Sequence, residues 1–68
     1  MSDNLREIAN YELPYSRKAE LREITFDGGM KMLRLILREG RRITQVDLDA
    51  DSAAALSDAM GDWARLNS

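Results

Sequence analysis

Cysteine and histidine are both absent from the 68 residues, and each absence removes a class of chemistry. Without cysteine the fold can hold neither disulfides nor thiolate-bound metals. Without histidine it lacks the commonest transition-metal ligand and the side chain best suited to proton transfer near neutral pH. Ser16, Ser52, Ser57 and Ser68 consequently have no imidazole to activate them, and no lysine stands in a Ser-x-x-Lys arrangement. Long apolar stretches are missing too. The run Leu35-Ile36-Leu37 is far too short to span a bilayer. The start, Met1 to Glu7, has no basic segment leading into an apolar one, so no secretory signal and a cytoplasmic, soluble protein with no membrane association are expected.

What is present is a short, charged chain. At this length a single core is thin, because small domains bury a smaller share of their surface, and oligomerisation is a usual remedy. The formal net charge of -2 conceals a division. Residues 17 to 42 carry eight basic side chains against four acidic ones, a local balance of +4. Residues 43 to 68 reverse this, with Asp47, Asp49, Asp51, Asp58 and Asp62 against Arg65 alone. Such asymmetry fits an anionic partner for the basic part, or a basic sheet facing an acidic neighbour in a dimer.

The most informative segment is Met30 to Arg38, which as a β-strand places apolar side chains on both faces and therefore needs covering twice. Around it the pattern predicts a β-meander. Leu21 to Asp27 alternates, Asp27-Gly28-Gly29 supplies a turn, Glu39-Gly40 makes the next, and Arg41 to Leu48 alternates again. Two-residue loops at Gly28-Gly29 and Glu39-Gly40 would place Ile24 opposite Leu33 and Leu33 opposite Val46. That register gathers Ile24, Phe26, Leu33, Leu35, Leu37, Val46 and Leu48 on a core face. Leu21, Ile36 and Ile43 fall on the reverse face, with Met30, Met32 and the arginines Arg34, Arg38 and Arg41, and Glu23 sits opposite Arg34. A three-residue first loop would move the first of these strands to the other face.

Two terminal elements flank the meander. Asp49 is the preferred N-cap of a helix in which Ala53, Leu56, Met60 and Trp63 form an apolar stripe expected to cover the core face. Residues 1 to 19 read as an arm, either a short helix capped at Asp3 or Asn4 or an extended segment in which Tyr11, Leu13 and Tyr15 alternate. The predicted architecture is thus α+β, a three-stranded antiparallel meander packed on one C-terminal helix. In it, residues 20 to 68 form a single β-β-β-α domain behind the arm, and a dimer is expected.

Catalytic and ligand constellations are lacking. Asp47, Asp49 and Asp51 cluster at a strand-to-helix junction where capping explains them, and neither the glycine nor the glutamate of an EF-hand loop is in place. Gly28-Gly29 is not followed by the Gly-Lys-Ser/Thr of a phosphate loop. We therefore expect no catalytic residues, no cofactor and no metal. The expected role is a small non-enzymatic homodimeric interaction or structural protein, its interface drawn from Leu21, Met30, Met32, Ile36 and Ile43.

The alternative is single-stranded nucleic-acid binding or a transcription-associated role through Arg34, Arg38, Arg41 and Arg42. Over residues 21 to 66 the strand order, the segment Gly40 to Leu48 and the capped helix resemble in topology the C-terminal domain of the transcriptional coactivators that dimerise and hold single-stranded DNA on their sheets. The resemblance implies those four arginines as backbone contacts and a homodimer as the working unit. The aromatic side chains and basic charge of such sheets are missing, so nucleic acid is the disfavoured partner and a second copy of the chain the favoured one.

Overall fold

A computed structural model describes residues 4–68. The chain forms an antiparallel sheet in the order β1 (Asn4–Leu13), β2 (Arg17–Thr25), β3 (Lys31–Glu39) and β4 (Arg42–Leu48), followed by one helix, α1 (Ala50–Leu66). The sheet has four strands where three were expected, because the segment before Pro14 is a strand. Pro14 keeps Leu13 out of helical geometry, and the open edge of β2 satisfies the backbone of residues 4 to 13 in a way that a short isolated helix could not match. Asn4 opens this strand, whereas Asp3, the other cap considered for a helix here, lies outside the described residues. A bulge at Ile8, between the pairs Glu7↔Arg22 and Ala9↔Leu21, shifts the register within β1.

The first loop of the meander decides which side chains share a face. Phe26 N–H donates to the Met30 carbonyl at 2.8 Å and Gly29 N–H to the Phe26 carbonyl at 3.0 Å, so Asp27-Gly28-Gly29 is a three-residue loop. Both glycines hold φ near +90°, where a side chain would be strained. The expected pairing of Ile24 with Leu33 is thereby replaced by Ile24↔Met32 and Leu21↔Leu35. One additional loop residue carries every β2 side chain to the other face. The second loop is Gly40-Arg41, with Glu39 opposite Arg42, so β4 moves by two residues and keeps its faces: Leu35 lies opposite Val46 and Leu33 opposite Leu48.

Two dissimilar faces result. The leucine face collects Leu21 from β2, Leu33, Leu35 and Leu37 from β3, Val46 and Leu48 from β4, and Ala9, Tyr11 and Leu13 from β1. The arginine face carries Ile24, Met32, Ile36 and Ile43 among Lys18, Glu20, Arg22, Arg34, Arg38 and Asp47. Leu21 and Ile24 have thus exchanged the faces expected of them.

Helix α1 begins without a connecting loop. Asp49 is its N-cap, as expected, its carboxylate accepting from Ser52 N–H at 2.8 Å. Yet α1 does not cover the leucine face as expected. Ala53 is half-buried, and beyond it the stripe opens steadily: Leu56 is 44% exposed, Met60 63%, Trp63 68% and Leu66 85%. The helix meets the sheet at its first turns and then diverges from it. A radius of gyration of 13.7 Å records this extension, against about 11 Å for a compact domain of this length.

Candidate functional site

The arginine face is charge-balanced among the described residues and buried at its centre. Glu20 lies between two guanidiniums, accepting from Arg38 Nε at 2.7 Å and from Arg22 Nη2 at 2.8 Å. Arg34 holds Asp47 in a forked pair, Nε to Oδ1 at 2.8 Å and Nη2 to Oδ2 at 3.1 Å, the geometry that makes guanidinium–carboxylate pairs specific. Arg34 thus pairs across to β4, and the expected Glu23 pairing is not made; Glu23 instead accepts from Arg6 at 3.2 Å on the opposite face. Glu20 and Asp47 are held below their ordinary pKa. For Glu20 the hydrogen bond from Arg38 is the main cause, with the charges of Arg38 and Arg22 adding to it. For Asp47 the cause is the Arg34 hydrogen bond, then its charge.

Beneath these pairs sit the two buried hydrophobic residues of the described chain, Ile24 at 2% exposure and Ile36 at 3%. Ile36 is bordered by Glu20 and Gln45 across the sheet and by Arg34 and Arg38 along its own strand. Long charged side chains cover apolar surface with their aliphatic stems while their heads stay wet, and Arg34 and Arg38, each held by an ion pair, flank the buried isoleucine. The face needs no further layer above Ile36.

The arginines expected to act together are separated. Arg34 and Arg38 share the face, Arg41 lies in the β3–β4 turn, and Arg42 projects on the leucine face. Because β1 and β4 bring Glu7, Glu12 and Asp47 beside Glu20, four acidic side chains on the arginine face answer its four basic ones, Lys18, Arg22, Arg34 and Arg38. The local excess of +4 between residues 17 and 42 is therefore not carried onto this face. Adding β1 as a strand is what neutralises it, which a reading of residues 1 to 19 as a free arm could not reveal.

The five residues considered for a subunit interface are also dispersed. Ile36 is buried within the chain, Met32 is half-buried, Ile43 is exposed on the arginine face at 55%, Met30 is exposed at 61% just before β3, and Leu21 lies on the leucine face.

The leucine face offers the continuous apolar surface instead. Its centre, Leu21, Leu33, Leu35 and Leu37, is only half-buried, while Val46, Tyr11 and Leu13 stand 46%, 56% and 38% exposed around it. Its charges are confined to the ends of the strands: Arg17 pairs with Glu39 at one end and Arg6 with Glu23 at the other. Where α1 starts, a hollow of about 180 Å³ separates Ala50 and Ala53 from Leu33, Leu48 and Ile8, so even the first turn of the helix does not seal the sheet. The alternation of β3 was the sequence signal for this face, but its partners on β1 and β2 depended on the loop length.

A chemically reactive centre does not emerge from the described residues. An open hollow of about 390 Å³ on β1 and β2 is bordered by Glu7, Glu12, Glu20, Lys18 and Arg22. Glu20 there is held ionised by two arginines and Glu7 accepts a hydrogen bond from Asn10. A general acid needs the opposite displacement of its pKa. Among the described residues no group of three acidic side chains is placed to hold a metal ion, and no helix is long and apolar enough to cross a membrane.

Residues 2–66 match the model of a family of unknown function, DUF6967, and the chain belongs to that family. No curated protein and no solved structure matches it.

Proposed function

We propose that this protein is a non-enzymatic interaction module whose working unit is a homodimer, joined through the leucine face of the sheet. The observation that carries the reading is unfinished burial. The chain exposes 5536 Å², whereas a compact monomer of 7.7 kDa would expose roughly 4,300 Å². The excess, about 1,200 Å², exceeds the roughly 800 Å² that each partner contributes to a standard stable interface. Apolar side chains contribute to it on the leucine face, at Tyr11, Leu13 and Val46, and along α1, at Leu56, Met60, Trp63 and Leu66, whereas the exposed Leu5 and Ile43 of the arginine face stand apart on its two edge strands. Contiguous exposed apolar surface marks association sites.

On this reading the interface lies on the face opposite to the one carrying Ile36, whose centre is already buried beside its ion pairs. The same pairs weigh against a nucleic-acid platform. A phosphate backbone would have to displace carboxylates from Arg34 and Arg38, on a face where basic and acidic side chains are equal in number, and no ring of Phe, Tyr or Trp lies on that face near those arginines.

Light scattering coupled to size-exclusion chromatography tests the reading. The wild-type chain should elute at twice the monomer mass at micromolar concentration, and Leu35→Lys should elute at the monomer mass with its circular dichroism retained. A wild-type monomer at high micromolar concentration would overturn it. A single-stranded oligonucleotide should show no salt-sensitive binding to either form.

A further inference from the structure

Two apolar surfaces of this chain are open at once, and they have matching shapes: a broad sheet face and a helix that carries a narrow stripe. The helix does not follow its own sheet beyond its first turns. No loop separates β4 from α1, and Asp49 caps the helix through its carboxylate to Ser52 N–H and its carbonyl to Ala53 N–H at 3.0 Å. The stripe departs from its own leucine face, its exposure rising from Leu56 to Leu66. Its acidic side chains Asp58 and Asp62 fall on the far side of the helix from Leu56, Met60 and Trp63.

Resting on the homodimer reading above, we propose that α1 is exchanged: the stripe of each protomer lies across the leucine face of its partner, over Leu21, Leu35 and Val46. The arrangement is isologous, so one contact made twice closes both open surfaces of both chains. Charge favours it. The leucine face carries Arg6, Arg17, Lys31 and Arg42 against Glu23 and Glu39, an excess of two basic groups, while α1 carries Asp51, Asp58 and Asp62 against Arg65, an excess of two acidic ones. The two elements thus attract at long range while the acids themselves, lying off the stripe, stay in water. Helix against helix would instead leave the leucines open. A protein with its helix exchanged also keeps the arginine faces outward on both sides, which fits surfaces that are already sealed by their ion pairs.

Trp63 and Val46 are the only tryptophan and the only valine in the chain, which makes the contact readable without ambiguity. Isotope-filtered NOE spectra of a mixed dimer, one copy of the full chain labelled and the other not, should show the Trp63 indole of one copy against methyl groups of Val46, Leu35 or Leu21 of the other. A dimer whose Trp63 ring contacts only its own chain, or only the partner's helix, would overturn the exchange and leave the homodimer standing. A monomer under the same conditions would remove both.

Discussion

On the arginine face two isoleucines are nearly invisible to solvent although no second layer lies above them; on the leucine face a larger apolar group is open although a helix starts beside it. The difference lies in what surrounds each cluster. Ile36 is bordered by side chains long enough to fold over it and by charges that hold them in place. Leu35 has Leu21 and Val46 directly across the sheet and Leu33 and Leu37 along its own strand, none of which can present a polar head to water. A charged sheet face can be self-sealing, whereas an apolar one stays dependent on another element, and in this chain that element leaves.

The comparison can be broken most severely at Ile36. Ile36→Ala should lower stability by about 2–5 kcal/mol, the range for emptying a buried aliphatic site, read from urea unfolding at fixed protein concentration. A loss equal to that of Leu35→Ala measured under dissociating conditions would show that the two faces are not different in kind. Next, Met60→Glu should dissociate the dimer without disturbing the sheet, because Met60 is 63% exposed within its own chain. Its signature is a halved mass in light scattering with the helical dichroism preserved; retention of the dimer would mean that the stripe is not buried by a partner.

Asp49→Ala should cost about 1 kcal/mol, the usual worth of an N-cap, and should loosen the direction of α1, since the capping bond is part of the junction. Thermal melts together with the dimer dissociation constant would separate those two effects. A smaller effect is expected with acid. Glu20, Asp47 and Asp49 all titrate below their ordinary values in the folded chain, Asp49 chiefly through Ser52. The unfolded chain therefore takes up these protons first. The stabilisation they provide is whole above the ordinary carboxylate range near pH ~4 and is lost as pH falls through the lowered folded values. Glu20→Gln and Asp47→Asn should flatten that loss in pH-dependent urea titrations, and an unchanged slope would mean that the pairs do not seal the arginine face.

How much could be read beforehand differs from element to element. The strands around Leu35 and Val46 were legible in their alternation, and the helix in its stripe and in Asp49. The strand at residues 4 to 13 was not, because Leu5, Ile8 and Ala9 have helical spacing while Tyr11 and Leu13 alternate, and only the free edge of β2 decides between them. The face of β2 was undetermined for a different reason. Asp27-Gly28-Gly29 can close a hairpin as two loop residues or three, and both have the same local chemistry, yet they place Leu21 and Ile24 on opposite sides. The candidate surface inherited that uncertainty, since Leu21 belongs to it only in the longer loop.

By itself, then, the sequence determined the order of the elements from β2 onward, the capped amphipathic helix, and the need of β3 for cover on both sides, since these follow from period and from local hydrogen-bonding chemistry. Tertiary structure alone decided how that need is met. On one side Glu20 of β2 and Asp47 of β4 hold the Arg38 and Arg34 side chains that flank Ile36, pairings that depend on strands distant in sequence. On the other, the loop-free junction at Asp49 sends α1 away from the leucines it was shaped to cover, because a helix direction is set by the dihedral angles at its start and not by the apolarity of its stripe.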